Sequence, residues 1–148
     1  MSALRALDLP PVWAALAGAA SWGLARLAPA PGLEPPLWTA ALPAVLGVAL
    51  AAWAALGFLR RRTPIEPRRE PRALLADGPY RINRNPIYTG ITLVLLGWAL
   101  HLGAFAALLP VAAYPVLIDR RFVRAEEAAL RRAFGPEAEA YFARTRRW

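Results

Sequence analysis

Two short stretches carry the side chains best suited to chemistry, and the first is the polar stretch Asp77–Gly90. Within it, Asn85 and Pro86 predict the start of a helix, because proline lacks the N–H that the first helical turn leaves unpaired. Arg84 and Tyr88 lie within about one turn of that start, where backbone N–H groups and the helix dipole favour an anion. The stretch predicts a site for a ligand carboxylate. The alternative is an interfacial cap, with Tyr88 in an aromatic belt and the arginines facing lipid headgroups.

The second stretch is a helix-forming segment around two adjacent glutamates. Glu126 shares a helical face with Leu130 and Ala133 by i, i+4, i+7 spacing, whereas Glu127 is spaced to pair with Arg131 at the surface. Glu126 is therefore the carboxylate predicted to turn inward and meet a ligand. The alternative is a solvated helix beside the membrane, laced with salt bridges.

Several reaction classes are excluded by what the chain lacks. It has no cysteine and one histidine, His101, so it offers no thiolate nucleophile and no Cys/His zinc site, and no metal site is predicted. His101 is predicted to lie in a loop across the membrane from Arg84, which removes a Ser/His/Asp triad. Neither a P-loop nor a GxGxxG motif is present.

Composition places the chain in a membrane. At 148 residues, 57% hydrophobic and a mean hydropathy of +0.33, it is too apolar for an ordinary soluble domain. Its net charge is +8 and all 18 basic residues are arginines, eight between Arg60 and Arg84 and eight between Arg120 and Arg147. Charge concentrated beside apolar runs is the positive-inside pattern, so we predict an integral protein of a prokaryotic inner membrane and no nucleic-acid partner.

The apolar runs predict an all-α polytopic membrane protein with one domain, residues 1–148. The segment 37–59 has 23 residues without a charge and is the strongest transmembrane prediction. A second long apolar run is divided by His101-Leu102-Gly103 into a helical hairpin, with Pro110 and Pro115 kinking its second arm. The predicted spans are 11–28, 37–59, 86–100 and 104–121, with a cytoplasmic linker 60–85 and a cytoplasmic helical tail 122–148.

An alternative for the first span is a cleaved signal peptide. Arg5 precedes its apolar run, and Ala28-Pro29-Ala30 imitates a small-residue cleavage site. The prolines crowded around that site favour an intact span instead.

Read in order, the two polar stretches resemble the isoprenylcysteine carboxyl methyltransferase family and its phospholipid methyltransferase relatives. The resemblance runs from about Arg72 to Trp148 and is specific because order, spacing and membrane placement agree. The shared pattern, with two apolar spans after its first part, is Gly78-x-Tyr80-x-x-x-Arg84-Asn85-Pro86-x-Tyr88-x-Gly90, Glu126-Glu127-x-x-Leu130-x-x-x-Phe134-Gly135 and Tyr141-x-x-Arg144.

The resemblance implies an enzyme that binds S-adenosylmethionine at the cytoplasmic face and methylates a carboxylate, thiol or amine of a lipophilic or lipid-modified acceptor. Membrane lipids are its expected surroundings. The cofactor-binding residues that the resemblance implies are Arg72, Ala73, Leu74, Leu75, Tyr80, Asn85, Pro86, Ile87, Tyr88 and Glu126.

Two departures from the family pattern matter for chemistry. Asn85 stands where the family usually has histidine, so a hydrogen bond can be kept but proton transfer cannot. Phe122 stands where the family has a substrate-contacting arginine, and Arg121 is the nearest replacement. Arg84 and Arg121 are therefore the candidate catalytic residues. The rival classes are an NADPH-dependent reductase of the sterol-reductase type and a non-enzymatic membrane partner protein.

Overall fold

The structure is a computed structural model that describes residues 8–28, 36–67 and 69–148. The part of the chain so described contains no β-strand, which confirms the all-α prediction. The helices are α1 (Pro10–Leu27), α2 (Leu37–Arg60), α3 (Pro86–Leu102), α4 (Leu108–Ile118), α5 (Arg124–Phe134) and α6 (Pro136–Arg144). The shorter turns are 3-10 helices at Gly78–Arg81 and Phe105–Ala107 and a π-helical turn at Asp119–Val123.

Helix α2 is, of the described helices, the one that is both long and apolar enough to cross a membrane by length and composition. Its most apolar 18-residue window is only 11% buried, and Val45 and Leu59 are 65% and 73% exposed. A helix in the core of a soluble protein would bury such side chains, so α2 is suited to contact lipid. α3 is apolar but shorter, and the four-span arrangement stays a prediction.

Helices α2 and α3 pack with almost no side chain between them. A Cβ placed on Gly47 would lie 2.4 Å from the carbonyl oxygen of Gly90, and one on Gly97 would lie 2.6 Å from that of Ala40. Small residues that let two backbones approach in this way are typical of helix pairs in membranes. The contact fixes the position of α3, whose first residues carry the predicted site.

Helix α1 is held against the hairpin by polar contacts inside the apolar region. The buried Ser21 hydroxyl donates to the Ala107 carbonyl at 2.8 Å, and the Trp98 indole donates to the Gly18 carbonyl at 3.0 Å. The helix closely matches the predicted span 11–28. Most of the possible cleavage motif lies outside the described residues.

The hairpin forms where it was predicted, but its second arm is not one continuous helix. α3 ends at Leu102, and Gly103 follows in a left-handed conformation with φ 67°. His101, which was predicted to lie in a loop, instead lies in the last turn of α3, at the opposite end of the helix from Asn85. The predicted span 104–121 instead divides into a 3-10 turn, α4 and the π-helical turn, which begins within a few residues of Pro115, where the ladder lacks an N–H donor.

Candidate active site

The two polar stretches meet where the start of α3 faces α5. The Tyr88 hydroxyl donates to Oε1 of Glu126 at 2.6 Å, joining residues 38 positions apart in the chain. Tyr88 is the hydrogen-bond partner that the described residues provide for Glu126, so the second carboxylate oxygen is left for a ligand. Burial raises the pKa of Glu126 above its usual value; the hydrogen bond from Tyr88 opposes this effect, and the neighbouring charge of Glu127 adds to it.

The neighbouring glutamate corrects one prediction. Glu127 is buried, accepts hydrogen bonds from Nε and Nη2 of Arg147 at 2.9 and 2.6 Å, and forms an ion pair with Nη1 of Arg84 at 3.1 Å. The predicted surface pair with Arg131 is wrong, because Arg131 pairs with Glu139 at 2.7 Å.

The cause is the rotation of α5 about its own axis. Glu127 lies on its inward face, four residues after the buried Val123 that precedes the helix, and Ala133 is left exposed. The apolar spacing placed Ala133 inward because it counted alanine as a core residue. Two arginines from outside the helix compensate the charge of Glu127, which spacing within one helix does not reveal.

Arg84 lies at the centre of the site. Its backbone N–H donates to the Arg146 carbonyl at 2.8 Å, and its guanidinium lies 4.8 Å from the Phe142 ring centroid. Nε of Arg84 is buried and has no hydrogen-bond partner among the described residues. A buried donor without a partner is expensive, so this atom is suited to an acceptor from a ligand.

Residues 145–147 lie across the start of α3. Asn85 donates from Nδ2 to the Arg147 carbonyl at 2.9 Å, and Asn83 forms an isolated parallel bridge with Arg146. Thr145 is buried. The start of α3 is thus covered by protein on this side, and the Asn85 amide group is already engaged within the chain.

An apolar wall completes the site. Tyr80, Leu75 and Tyr141 pack with Ala54 in one buried cluster, and Ile87 is packed against it. The Tyr141 hydroxyl donates to the Tyr80 carbonyl at 2.8 Å. Burial raises the pKa of Tyr141 to about 12, and burial, then the charges of Tyr141 and Glu126, raise the pKa of Tyr80.

The structure gathers most of the predicted cofactor residues, though not all in the same way. Leu74 and Leu75 join Tyr80 and Ile87 in or against the apolar wall, while Tyr88 and Glu126 bind each other. Pro86 is fully buried beneath them, and Ala73 is half-buried. Arg72 has an exposed side chain and contributes its backbone N–H to the Thr63 hydroxyl at 2.9 Å.

Arg121, the second candidate catalytic residue, belongs to a different contact. It forms an ion pair with Asp8, and its guanidinium lies 5.0 Å from the Trp13 ring centroid at the start of α1. None of its contacts within the described ranges is with Arg84 or Glu126. Arg84 is the candidate that the structure places beside the Tyr88–Glu126 pair, through its contact with Glu127.

Sequence reasoning missed several members of the site. Arg147 lies beyond the end of α6, where no periodicity applies, and its partner Asp119 at 3.3 Å was assigned to the end of a span. Asn83, whose side chain accepts the Asn85 N–H at 3.0 Å, resembled an ordinary turn residue. An available signal was that Arg146 and Arg147 follow the last helix directly, in an extended segment long enough to fold back.

The comparisons with known families and proteins bear on this site. A sequence model described as phospholipid methyltransferase matches residues 37–137, which include α2, α3 and both adjacent glutamates. No curated protein and no solved structure matches the chain. The match supports neither the reductase nor the partner-protein alternative.

Proposed function

Because the chain belongs to the phospholipid methyltransferase family, we propose that it transfers a methyl group from S-adenosylmethionine to a lipophilic acceptor at the cytoplasmic membrane face. The family membership confirms the relationship that the two motifs predicted, and it makes the protein a membrane methyltransferase for a lipid-like substrate. The donor, the face of the membrane and the chemical class of acceptor are what we propose.

The residues of the site fit this cofactor. Glu126 has one carboxylate oxygen available to accept a hydrogen bond from a ligand amino group. The unpartnered Nε of Arg84 is suited to donate to a ligand carboxylate. The methionine part of S-adenosylmethionine carries both groups. Tyr88 supplies an aromatic ring beside Glu126, Tyr80 supplies one in the apolar wall, and such rings favour a sulfonium cation.

When bound, the cofactor supplies an electrophilic methyl group. With a carboxylate or thiolate acceptor the displacement needs no general base, so Asn85 in place of histidine is compatible with the reaction. The contribution of this chain is then alignment and the exclusion of water. Glu126 and Arg84 orient the donor, and the buried cluster of Leu75, Tyr80 and Tyr141 keeps water from one side.

The acceptor is proposed to enter from the bilayer, because the site adjoins apolar helices rather than an aqueous domain. α2 exposes apolar side chains along its length, and α3 leads from the site into the same apolar region. Methyl transfer should therefore require a hydrocarbon tail on the acceptor. Equal rates with short, water-soluble acceptors would refute lateral entry.

The hydrogen bond between Tyr88 and Glu126 is the observation that carries this proposal, since it brings the two family motifs into one site. The test is calorimetric titration of the detergent-purified protein with S-adenosylhomocysteine and, separately, with NADPH. We expect saturable binding of S-adenosylhomocysteine. In a separate assay, we expect methyl transfer from labelled S-adenosylmethionine to extracted lipids. Tight binding of NADPH alone would overturn the proposal in favour of a reductase.

The proposed orientation has its own test, which the absence of cysteine makes simple. Single cysteines replacing Glu70, in the linker after α2, and Phe105, in the turn after α3, should react with a membrane-impermeant thiol reagent from opposite sides. Both positions are exposed. Glu70→Cys should react from the cytoplasmic side, and labelling of both variants from the same side would refute the four-span topology.

A further inference from the structure

We propose that Glu127 is a positioning residue that orients Arg84 for the ligand, with Arg147 as the clamp that holds Glu127 in place. This inference rests on the proposed function and deepens it. It separates the two adjacent glutamates by role, since Glu126 faces the ligand while Glu127 faces the protein.

The first step is the saturation of the Glu127 carboxylate. Its Oε1 accepts from Nε of Arg147 at 2.9 Å and lies 3.1 Å from NH1 of Arg84, and its Oε2 accepts from NH2 of Arg147 at 2.6 Å. The side chain is only 5% exposed. A carboxylate so buried and so fully engaged has no capacity left for a substrate, and its geometry is fixed by the bidentate arginine.

The second step is the restraint on Arg84. Its guanidinium is held by Glu127 at NH1 and by the Phe142 ring 4.8 Å from it, while its backbone N–H is held by the Arg146 carbonyl at 2.8 Å. With those contacts in place, Nε is the buried atom of the side chain without a partner in the described structure. Glu127 therefore sets the direction in which the unpartnered N–H of Arg84 Nε points.

The third step is charge. Glu127 is the carboxylate that pairs with Arg84 among the described residues, and it is shared with Arg147. Arg147 also lies 3.3 Å from Asp119, which accepts a hydrogen bond from Arg124 at 2.9 Å. The charge of Arg84 is therefore only partly compensated, which favours a negative group there, in agreement with a ligand carboxylate.

The test is a double-mutant cycle on Arg84 and Glu127, read as kcat, as KM for the acceptor and as calorimetric affinity for S-adenosylhomocysteine. Glu127→Gln should lower kcat/KM by about 10- to 100-fold, which is the usual loss when a residue that orients a ligand-binding side chain is removed. In an Arg84→Gln background the same change should have almost no further effect, because the group it orients is already gone. Equal effects in both backgrounds would overturn the proposal, since a role of Glu127 that does not act through Arg84 gives additive losses.

Arg147→Lys supplies the second variant, should Glu127→Gln fail to fold. It keeps the charge but loses the bidentate geometry, so it should lower kcat/KM by about tenfold in the wild-type background and cause almost no further loss in an Arg84→Gln background. Glu139→Gln, which removes the exposed partner of Arg131, is the matched control and should leave kcat/KM unchanged. If the wild-type protein binds no S-adenosylhomocysteine, the proposed function fails; if it binds and reacts but Arg147→Lys equals wild type, this inference alone fails.

Discussion

The two faces of α3 meet their neighbours by opposite means. Towards α2, Gly47, Gly90 and Gly97 bring backbone against backbone, and the contact is defined by side chains that are missing. At its start, Arg84 and Tyr88 meet α5 through charge and hydrogen bonds. The first contact tolerates almost no added volume, whereas the second tolerates no lost partner. The close backbone contact with α2 holds α3 in place, so that the polar side chains at its start can be arranged for a ligand.

The largest loss of stability is expected from added volume on the face of α3 that packs against α2. Gly47→Leu would place a side chain against the Gly90 carbonyl, where even a Cβ lies 2.4 Å away. Since one backbone cannot yield to the other, we expect a loss of stability of about 3 kcal/mol, the upper part of the usual range for overpacking. Thermal unfolding in detergent measures it.

Gly23→Leu is the matched control for that variant. A Cβ on Gly23, in α1, meets nothing within 4 Å, so the added leucine has room and replaces a poor helix former. We expect an unfolding midpoint at or above that of wild type. Equal losses for Gly47→Leu and Gly23→Leu would mean that the α2–α3 contact is not the constraint.

The helices were largely predictable from the sequence, because an uncharged run of membrane length, a proline at a helix start and a glycine at a helix end each act locally. Pro86 begins α3 as predicted, and Gly103 ends it two residues beyond the predicted span 86–100. Local rules do not say which helices touch. The glycine spacing in α2 and α3 drew no prediction, because an isolated glycine in an apolar run looks the same whether it faces lipid or another backbone.

On the polar side of α3, the largest effect is expected from the loss of the Glu126 charge. If Glu126 accepts hydrogen bonds from the cofactor, Glu126→Gln keeps the shape, removes the charge and weakens binding by about 1.5–3 kcal/mol. That is roughly a ten- to hundredfold loss of affinity for S-adenosylhomocysteine. Glu137→Gln, an exposed glutamate of α6, should bind as wild type does. Equal affinities for the two variants would remove Glu126 from the site.

The protonation of Glu126 gives a smaller, pH-dependent effect. Because burial raises its pKa in the folded protein, its contribution to stability is full below its usual 4.5 and is lost as pH rises through the folded value. The slope is at most about 1.4 kcal/mol per pH unit for one proton. Unfolding midpoints of the ligand-free protein should fall over that window, and Glu126→Gln should flatten the fall.

Cofactor binding should follow the opposite sign over the same window. An ionised Glu126 attracts a ligand ammonium group and a protonated one does not, so affinity should increase as pH rises through the raised pKa. Titrations of wild type and Glu126→Gln at several pH values measure it. An affinity that increases equally in both proteins would assign the effect to another group.

The smallest expected effect marks the edge of the charged region. Arg131 and Glu139 form a pair with side chains 45% and 59% exposed, so Glu139→Gln should change stability by only about 0.2–1 kcal/mol, and less at high salt. The measurement is unfolding at low and high ionic strength. A loss of several kcal/mol would show that exposure does not separate this pair from the buried one at Glu127.

The site itself was predictable in its parts and not in its assembly. Tyr88 and Glu126 were identified because both motifs have order and spacing, and the structure joins them. Glu127 was assigned to the wrong side, because its true partners, Arg84 and Arg147, are distant in sequence. The periodicity of one helix does not predict which of its carboxylates will pair with an arginine from elsewhere in the chain.

Because residues 145–147 fold back across the start of α3, the order of synthesis affects when the site forms. Asn85 and Arg147, which close the site, are 62 positions apart, and Glu127 leaves the ribosome well before the arginine that saturates it. Contacts so distant form late, after nearer ones are in place. A nascent chain can thus insert its apolar helices while its site is still open. The site therefore closes only after residues 145–147 have been made and have folded back across the start of α3.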